Sequence, residues 1–376
     1  MVAGEASGDL LASALLEAFR QRWPQFSACG IGGPAMAQQG FDAWWPQHKL
    51  AVRGYVEVLP HMRELLAIRR DLGDRLLANP PDVFIGVDAP DFNLDIEVRL
   101  RRSGIPTVHF VSPSFWAWRP RKVLKLREAA DHVLCIFPFE PELLAAHGVK
   151  ATFVGHPLAA MIPMVPDRLA ARKKLGLSAE DEAVALLPGS RISEVRHLAP
   201  RFFEAAQWML RERPALRFLV PVLPSLRSAV EDAARSAGFD LLTDKALVLV
   251  DGQSHAVLEA CDTSLVASGT ATLEAALFKR SMVIAYHMPW LSWQIMRRKQ
   301  LQPWVGLPNI LCRDFVVPEL LQDRAQPKAL ARAVLDWLEH ADKRTALEQR
   351  FTELHLLLLR DTARLATDAI EKVFSR

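Results

Sequence analysis

Along most of this chain, short uninterrupted apolar runs alternate with longer stretches in which apolar residues recur every three or four positions. The runs DVFIGVD (82–88), PTVHFVS (106–112), HVLCIF (132–137), EAVALLPG (182–189), LRFLVPV (216–222), LVLV (247–250), TSLVAS (263–268) and SMVIAYH (281–287) predict strands. Because they are continuous rather than alternating, they predict strands buried on both faces, as in a parallel sheet. Helical periodicity fills 61–78, 93–103, 192–212, 227–237, 269–279 and 327–340. Strands and helices taking turns predict an α/β fold made of two Rossmann-like, doubly wound lobes in tandem. The carboxyl ends of their strands would line an interdomain cleft, where such sheets bind ligands.

Pro157, Pro163 and Pro166 crowd one short segment and break regular structure, which marks a linker. The predicted domains are 1–160 and 165–345. A C-terminal helical segment, 346–376, belongs to a helical stretch running from about 342 to 374 that is expected to pack back across the junction. No internal repeat or low-complexity tract interrupts this plan.

Composition narrows the picture. At 376 residues, 50% apolar and 24% charged, the chain has the make-up of a folded protein with more than one core. A formal net charge of +3 allows anionic ligands or an acidic membrane surface, but it is far from the basic field of a dedicated nucleic-acid binder. Cys29, Cys135, Cys261 and Cys312 form no CxxC pair and follow no secretory signal, so reduced thiols in the cytoplasm are expected. No apolar run reaches the 18–20 residues of a membrane span. The histidines are dispersed without metal-ligand spacing, so no metal site is predicted.

The chemistry should sit at strand ends. LLPGSRISEV (186–195) leaves a buried strand and opens a helix: Gly189 permits a tight turn, Ser190 can cap the helix, and Arg191 offers a fork matched to phosphate oxygens. An ordinary capped loop with a surface arginine is the alternative. VASGTATLEAAL (266–277) repeats the arrangement, with Ser268, Gly269 and Thr270 letting a ligand approach the backbone and Glu274 one turn inside, within reach of ribose hydroxyls. A small-residue helix start whose glutamate faces water is the alternative there. Neither loop carries a Walker lysine or GxGxxG pattern, which removes support from ATPase and NAD readings. GVDAPDFN (86–93) ends a strand with Asp88, the candidate general base, and with Asp91, expected as a helix N-cap. SPSFWAWRPRKVLK (112–125) sets Trp116 and Trp118 among Arg119, Arg121, Lys122 and Lys125, either to stack on a ligand or to anchor a loop to the core. GYVEVLPHMRELLAIRR (54–70) carries more apolar residues, Val56, Val58, Leu59, Met62, Leu65 and Leu66, than one core-facing stripe needs, beside Arg63, Arg69 and Arg70. An amphipathic helix covering the first sheet is the other reading.

Taken in order, VAGEASGD, GVDAPDFN, HFVSPSFWAWR, LLPGSR, ASGTATLE and GLPNIL resemble the lipid-A-disaccharide synthase family, inverting glycosyltransferases of the two-lobed GT-B type. The resemblance implies a donor, UDP-2,3-diacylglucosamine, and an acceptor, 2,3-diacylglucosamine 1-phosphate (lipid X). It also implies an acceptor-binding first lobe, a UDP-sugar-binding second lobe, no cofactor, no metal, and a peripheral place on the cytoplasmic face of the inner membrane. Carried onto this sequence, it places Asp88, Glu5, Ser7 and Asn309 in the catalytic site, and Gly189, Ser190, Arg191, Ser268, Gly269, Thr270 and Glu274 around UDP. Val56, Val58, Leu59, Met62, Leu65 and Leu66 would then meet acyl chains or bilayer. The terminal stretch is the segment two subunits would exchange in a homodimer. Another UDP-N-acetylglucosamine transferase or epimerase is the nearest rival, and a non-catalytic two-lobed binding protein is a second. The family pattern carries several more residues before VAGEASGD, whereas only Met1 precedes it here, so a shortened or misassigned start is expected.

Overall fold

The computed structural model describes residues 1–50, 55–117 and 120–375. The chain divides into two compact units, Met1–Pro157 with Leu358–Arg376, and Leu158–Leu357. Among the described residues the first unit holds seven parallel strands: β1 (Val2–Ala3), β2 (Cys29–Gly32), β3 (Asp42–Pro46), β4 (Phe84–Val87), β5 (Thr107–Phe110), β6 (His132–Cys135) and β7 (Ala151–Phe153). They lie in the order β3-β2-β1-β4-β5-β6-β7. The second unit holds β8 (Ala183–Leu187), β9 (Arg217–Val222), β10 (Leu247–Asp251), β11 (Thr263–Ala267), β12 (Ser281–Tyr286) and β13 (Glu319–Leu321), in the order β10-β9-β8-β11-β12-β13. In both sheets the winding reverses beside the first strand, between β1 and β4 and between β8 and β11. Both units are therefore Rossmann-like, doubly wound parallel sheets.

All eight continuous apolar runs are strands, and β4, β5, β8 and β11 are buried along their whole length. Four further strands lack that signature. β2 is half glycine, β3 ends on proline and is largely exposed, and β7 and β13 are three residues long. β1 has only two residues, yet it is fully buried and paired on both sides, Val2 opposite Ile31 and Gly86, Ala3 opposite Val87.

Helices cover both faces of the first sheet. On one side Leu15, Leu16 and Phe19 of the helix Ala6–Arg22 join Ile85, Val87, Val108 and Phe110 in one core. On the other, Ile68, Leu72 and Leu76 of the helix Tyr55–Ala78 pack with Val2, Phe84 and Leu100. In the second unit the helix Ile192–Glu212 buries Val195, Leu198, Ala199, Phe202, Phe203, Ala206 and Met209, a 3.6-residue period. Each large apolar side chain so buried stabilises by about 1.5–3 kcal/mol.

The expected single terminal stretch is two helices, Ala341–Leu358 and Thr362–Phe374. The break has a local cause. The Leu358 carbonyl accepts the His156 N–H at 2.9 Å, and Asp361 restarts the helix by accepting the Arg364 N–H. Gly155, with φ +92°, lies so close that a Cβ there would stand 2.5 Å from Arg360 Cβ. The last helix then adds Ala366, Ala369, Ile370 and Val373 to the first unit's core.

Candidate active site

In the first unit, two loops leave the adjacent strands β1 and β4 at the reversal point. A Cβ on Gly4 would lie 3.1 Å from Ala89 Cβ, so the opening loop packs directly on the turn that carries Asp88. Glu5 is half-buried at the N-cap position of the helix Ala6–Arg22, and Ser7 is exposed in its first turn. Asp9 is structural: its carboxylate accepts the N–H groups of Gly33, Ala35 and Met36 at 2.9, 2.9 and 3.1 Å. It holds the start of the helix Pro34–Gln38 against the opening helix.

Asp88 and Ala89 are consecutive left-handed residues with side chains, at φ 51° and 43°. That conformation costs an L-residue about 1–2 kcal/mol, so the surroundings must hold it. The Asp88 N–H donates to Phe110 O at 2.8 Å, its carbonyl accepts Asn93 Nδ2 at 2.8 Å, and Ala89 O accepts the N–H groups of Phe92 and Asn93. Asp88 itself is half-buried. Ala89, not Asp91, is the N-cap of the helix Pro90–Arg102. Asp91 lies inside the first turn with its side chain exposed and paired to Lys122 Nζ at 2.7 Å. The next strand, β5, is also followed by a left-handed residue, Val111 at φ 75°.

Trp116 is a core anchor. Its indole N–H donates to Glu140 Oε1 at 3.1 Å, and its ring meets Phe137 and Phe139 edge-on. Glu140 also accepts the Phe137 N–H, and burial pushes its carboxyl up to about 8. Trp118 and Arg119 lie outside the described residues. Lys125 pairs with Asp95, as does Arg69. On the helix Tyr55–Ala78, Met62 and Leu66 are exposed, 40% and 47%, while Leu65 is half-buried. The side chains of Val56, Val58 and Leu59 lie outside the described residues.

In the second unit the loops after β8 and β11 flank the other reversal point. Gly189, at φ 124°, lies under Glu194, whose Cβ and Oε2 would stand 2.5 and 2.6 Å from any Cβ placed there. Ser190 is not the helix cap. Arg191 holds that position, and Glu194 Oε2 accepts the Ser190 and Arg191 N–H groups at 3.0 and 3.3 Å. Glu194 Oε1 also receives Arg191 Nη1 at 3.2 Å, leaving the Arg191 side chain 57% exposed. Gly269 and Thr270 are exposed, with open space beside Gly269, and the half-buried Ser268 donates to Val305 O at 3.5 Å. Glu274 is mostly covered and stands 3.5 Å from His255 Nε2, a contact that raises the His255 pKa.

Asn309 is held inside the second unit. It is fully buried, both of its amide protons are given away, to Val317 O and Glu319 Oε1, and its carbonyl accepts the Val317 N–H. Both donors and one acceptor position of its amide are thus engaged inside the second unit. It fixes Glu319, which accepts the Val305 and Gly306 N–H groups. Glu194, His255 and Asn93 were not singled out by pattern. Glu194 carries a signal, an acidic residue three positions after the cap. His255 gains its partner only through the tertiary fold, as Asn93 does Val2, whereas Asn93 meets Asp88 and Val87 across its own loop. Among the described residues no group of three or more His, Cys, Asp or Glu could hold a metal ion, and no helix is long and apolar enough to cross a membrane.

Residues 1–373 match the family model described as Lipid-A-disaccharide synthetase. A protein of Albidiferax ferrireducens named Lipid-A-disaccharide synthase is 62% identical, over 99% of this chain and 96% of that protein. One of the same name from Verminephrobacter eiseniae is 58% identical, over 100% and 97%. Among solved structures, the S. aureus MnaA–UDP co-structure superposes with a TM-score of 0.68 at 11% identity, over 100% of this chain and 96% of that one. CalG4, the calicheamicin glycosyltransferase, superposes at 0.61 with 15% identity, over 99% and 96%. At these identities the two structures share the fold alone.

Proposed function

Because the chain belongs to the lipid-A-disaccharide synthetase family, a family of glycosyltransferases, we propose that it joins two acylated sugars. It transfers 2,3-diacylglucosamine from UDP-2,3-diacylglucosamine to the 6-hydroxyl of 2,3-diacylglucosamine 1-phosphate, with inversion. The products are a β-1,6-linked tetraacyl disaccharide 1-phosphate and UDP.

In this reading Asp88 takes the proton of the acceptor 6-hydroxyl as its oxygen bonds the donor's anomeric carbon, and UDP leaves with the electrons of the broken C–O bond. Glu5 and Ser7, on the loop that packs on the Asp88 turn through Gly4, hold the reacting sugar. Arg191 stabilises the charge developing on the pyrophosphate, with the backbone at Gly189 and Ser190, and supplies in protein form what a cation would otherwise give. Ser268, Gly269 and Thr270 border the phosphates, and Glu274 accepts from the ribose hydroxyls. Asn309 acts by positioning the segment 305–306. The observation that carries this reading is the placement of these groups on the strand ends flanking both reversal points, Asp88 after β4 and Arg191 after β8.

Met62 and Leu66, with Val56, Val58, Leu59 and Leu65 on the same helix, are the proposed contact with acyl chains at the cytoplasmic face of the inner membrane. A homodimer would exchange the terminal helices. Incubating the protein with lipid X and either UDP-2,3-diacylglucosamine or unacylated UDP-N-acetylglucosamine tests the reading. Disaccharide from the acylated donor alone is expected. Turnover of the unacylated sugar, or epimer formation, would replace the reading with its nearest rival.

A further inference from the structure

Behind the Asp88 turn lies a group of polar side chains that the reaction as written does not use. Asn93, Glu97 and His109 are each 0% exposed. His109 Nδ1 and Glu97 Oε1 are 2.7 Å apart, while Glu97 Oε2, His109 Nε2 and Asn93 Oδ1 have no hydrogen-bond partner among the described residues. Buried polar atoms without partners are unfavourable, and apolar side chains of the same size would pack there at less cost. The sheet is nevertheless shaped to admit them. Gly86 stands opposite His109 in the β4/β5 ladder, and a Cβ on it would lie 2.1 Å from Glu97 Oε1 and 3.0 Å from Asn93 Cβ and Cγ. Asn93 and Glu97 are one helical turn apart, so the missing side chain at Gly86 makes room for both.

The amide of Asn93 is the link to the turn. Its Nδ2 donates to Asp88 O at 2.8 Å and lies 3.4 and 3.5 Å from Val2 O and Val87 O. One NH2 group thus gathers carbonyls from β1, from β4 and from the turn after β4. These are the segments that carry the opening loop and Asp88. The turn needs such a hold, because Asp88 and Ala89 are both left-handed without being glycine.

We propose that Asn93, braced from behind by the Glu97–His109 pair over Gly86, is a positioning residue that aims the Asp88 carboxylate at the acceptor hydroxyl. The proposal rests on the reading of Asp88 as the base. Asn93 touches no substrate. It fixes the backbone from which the base projects, and through Val2 it keeps Glu5 and Ser7 in register with that base.

The test compares N93A, N93D, E97A and E97Q with D88N, measuring kcat, the KM for the UDP-sugar, UDP affinity by calorimetry and the melting temperature. N93A and E97A are expected to lose kcat at least 30-fold, with donor KM and UDP affinity within twofold of the parent. E97Q keeps a hydrogen bond to His109 and is expected to stay within threefold in kcat. A purely structural cluster would lower the melting temperature without this split between kcat and KM. If N93A cannot be obtained folded, N93D decides, since it matches the size of asparagine and puts an oxygen where the amide donates. A kcat within twofold of the parent for N93A, or for N93D in its place, overturns the proposal. So does E97Q failing as badly as E97A. If D88N keeps full turnover, the base reading itself falls. If D88N is inactive while N93A is fully active, only the positioning role falls.

Discussion

In the first unit the chain leaves β4 through Asp88 and Ala89, two side-chain-bearing residues forced into left-handed geometry and held there by a buried amide. In the second unit it leaves β8 through Gly189, where a side chain would collide with Glu194, and the next two N–H groups are gathered by that glutamate. One turn stores strain and is stiffened from behind. The other removes the side chain and satisfies its backbone locally. The difference matches the role proposed for each turn. A base would have to be aimed at one proton, which suits a backbone fixed at a cost. A pyrophosphate is a diffuse charge, which suits an open backbone and a guanidinium that can follow it, and Arg191 keeps 57% of its side chain in solvent.

Five changes would break or sharpen this contrast. D88N should cut kcat by about 10³-fold, within the range of general base catalysis, while calorimetry finds UDP binding unchanged. R191A should lower kcat/KM by about 10²-fold and weaken UDP as well. If both variants changed UDP affinity alike, the division of labour between the two turns would be lost. G189A should cost about 2 kcal/mol in urea unfolding, because it combines a positive φ with the Glu194 contact, and it should also weaken UDP.

The fourth change concerns Glu140, whose carboxyl burial raises to about 8 from an ordinary 4.5. Between those values the unfolded chain releases a proton that the folded chain keeps, so this contribution is full below pH 4.5 and is lost as pH rises through 8. Melting temperature should therefore fall across pH 5–8, and E140Q should flatten the slope. The smallest effect is expected of A89G. Relief of left-handed strain, less the extra freedom of the unfolded glycine, should gain about 0.5 kcal/mol, while kcat drops a few-fold. A glycine that helps stability in one turn and an alanine that harms it in the other would place the two turns at opposite ends of the same trade.

How much of this is legible in the sequence depends on whether the signal is local. Continuous apolar runs mark strands buried on two faces, and every such run is a strand. CGIG, DAWWP, ATF and ELL become strands only because a neighbour pairs with them, and nothing within those few residues says so. The loops after β4, β8 and β11 are legible as candidate sites because glycine, small residues and charge coincide there. Their internal bonding is less so: Asp91 and Ser190 look like caps by type, but Ala89 and Arg191 hold those positions. The three hydrogen bonds that tie Asn309 to Val317 and Glu319 are not legible in GLPNIL either. The Asn93, Glu97 and His109 cluster is invisible in advance, since His109 sits in an apolar run and meets Glu97 only across the helix–sheet contact. The terminal stretch keeps its helical period through 359–361, so the period alone cannot locate the break that pairing with residue 156 imposes.

The last helix, Thr362–Phe374, has a consequence for synthesis. Ala366, Ile370 and Val373 share one core with Leu15, Leu16 and Phe19, and Phe374 meets Trp23 edge-on at 5.4 Å. On the ribosome, the first unit is complete except for this helix before any of Leu158–Leu357 has been made. Its apolar face must then stay uncovered while the whole second unit emerges, on the order of 10–40 s at ordinary rates of synthesis. The unit that begins first is therefore the unit that finishes last. Nascent chains stalled before residue 362 should leave it open to protease, and chains stalled once the terminal helix has cleared the exit tunnel should not.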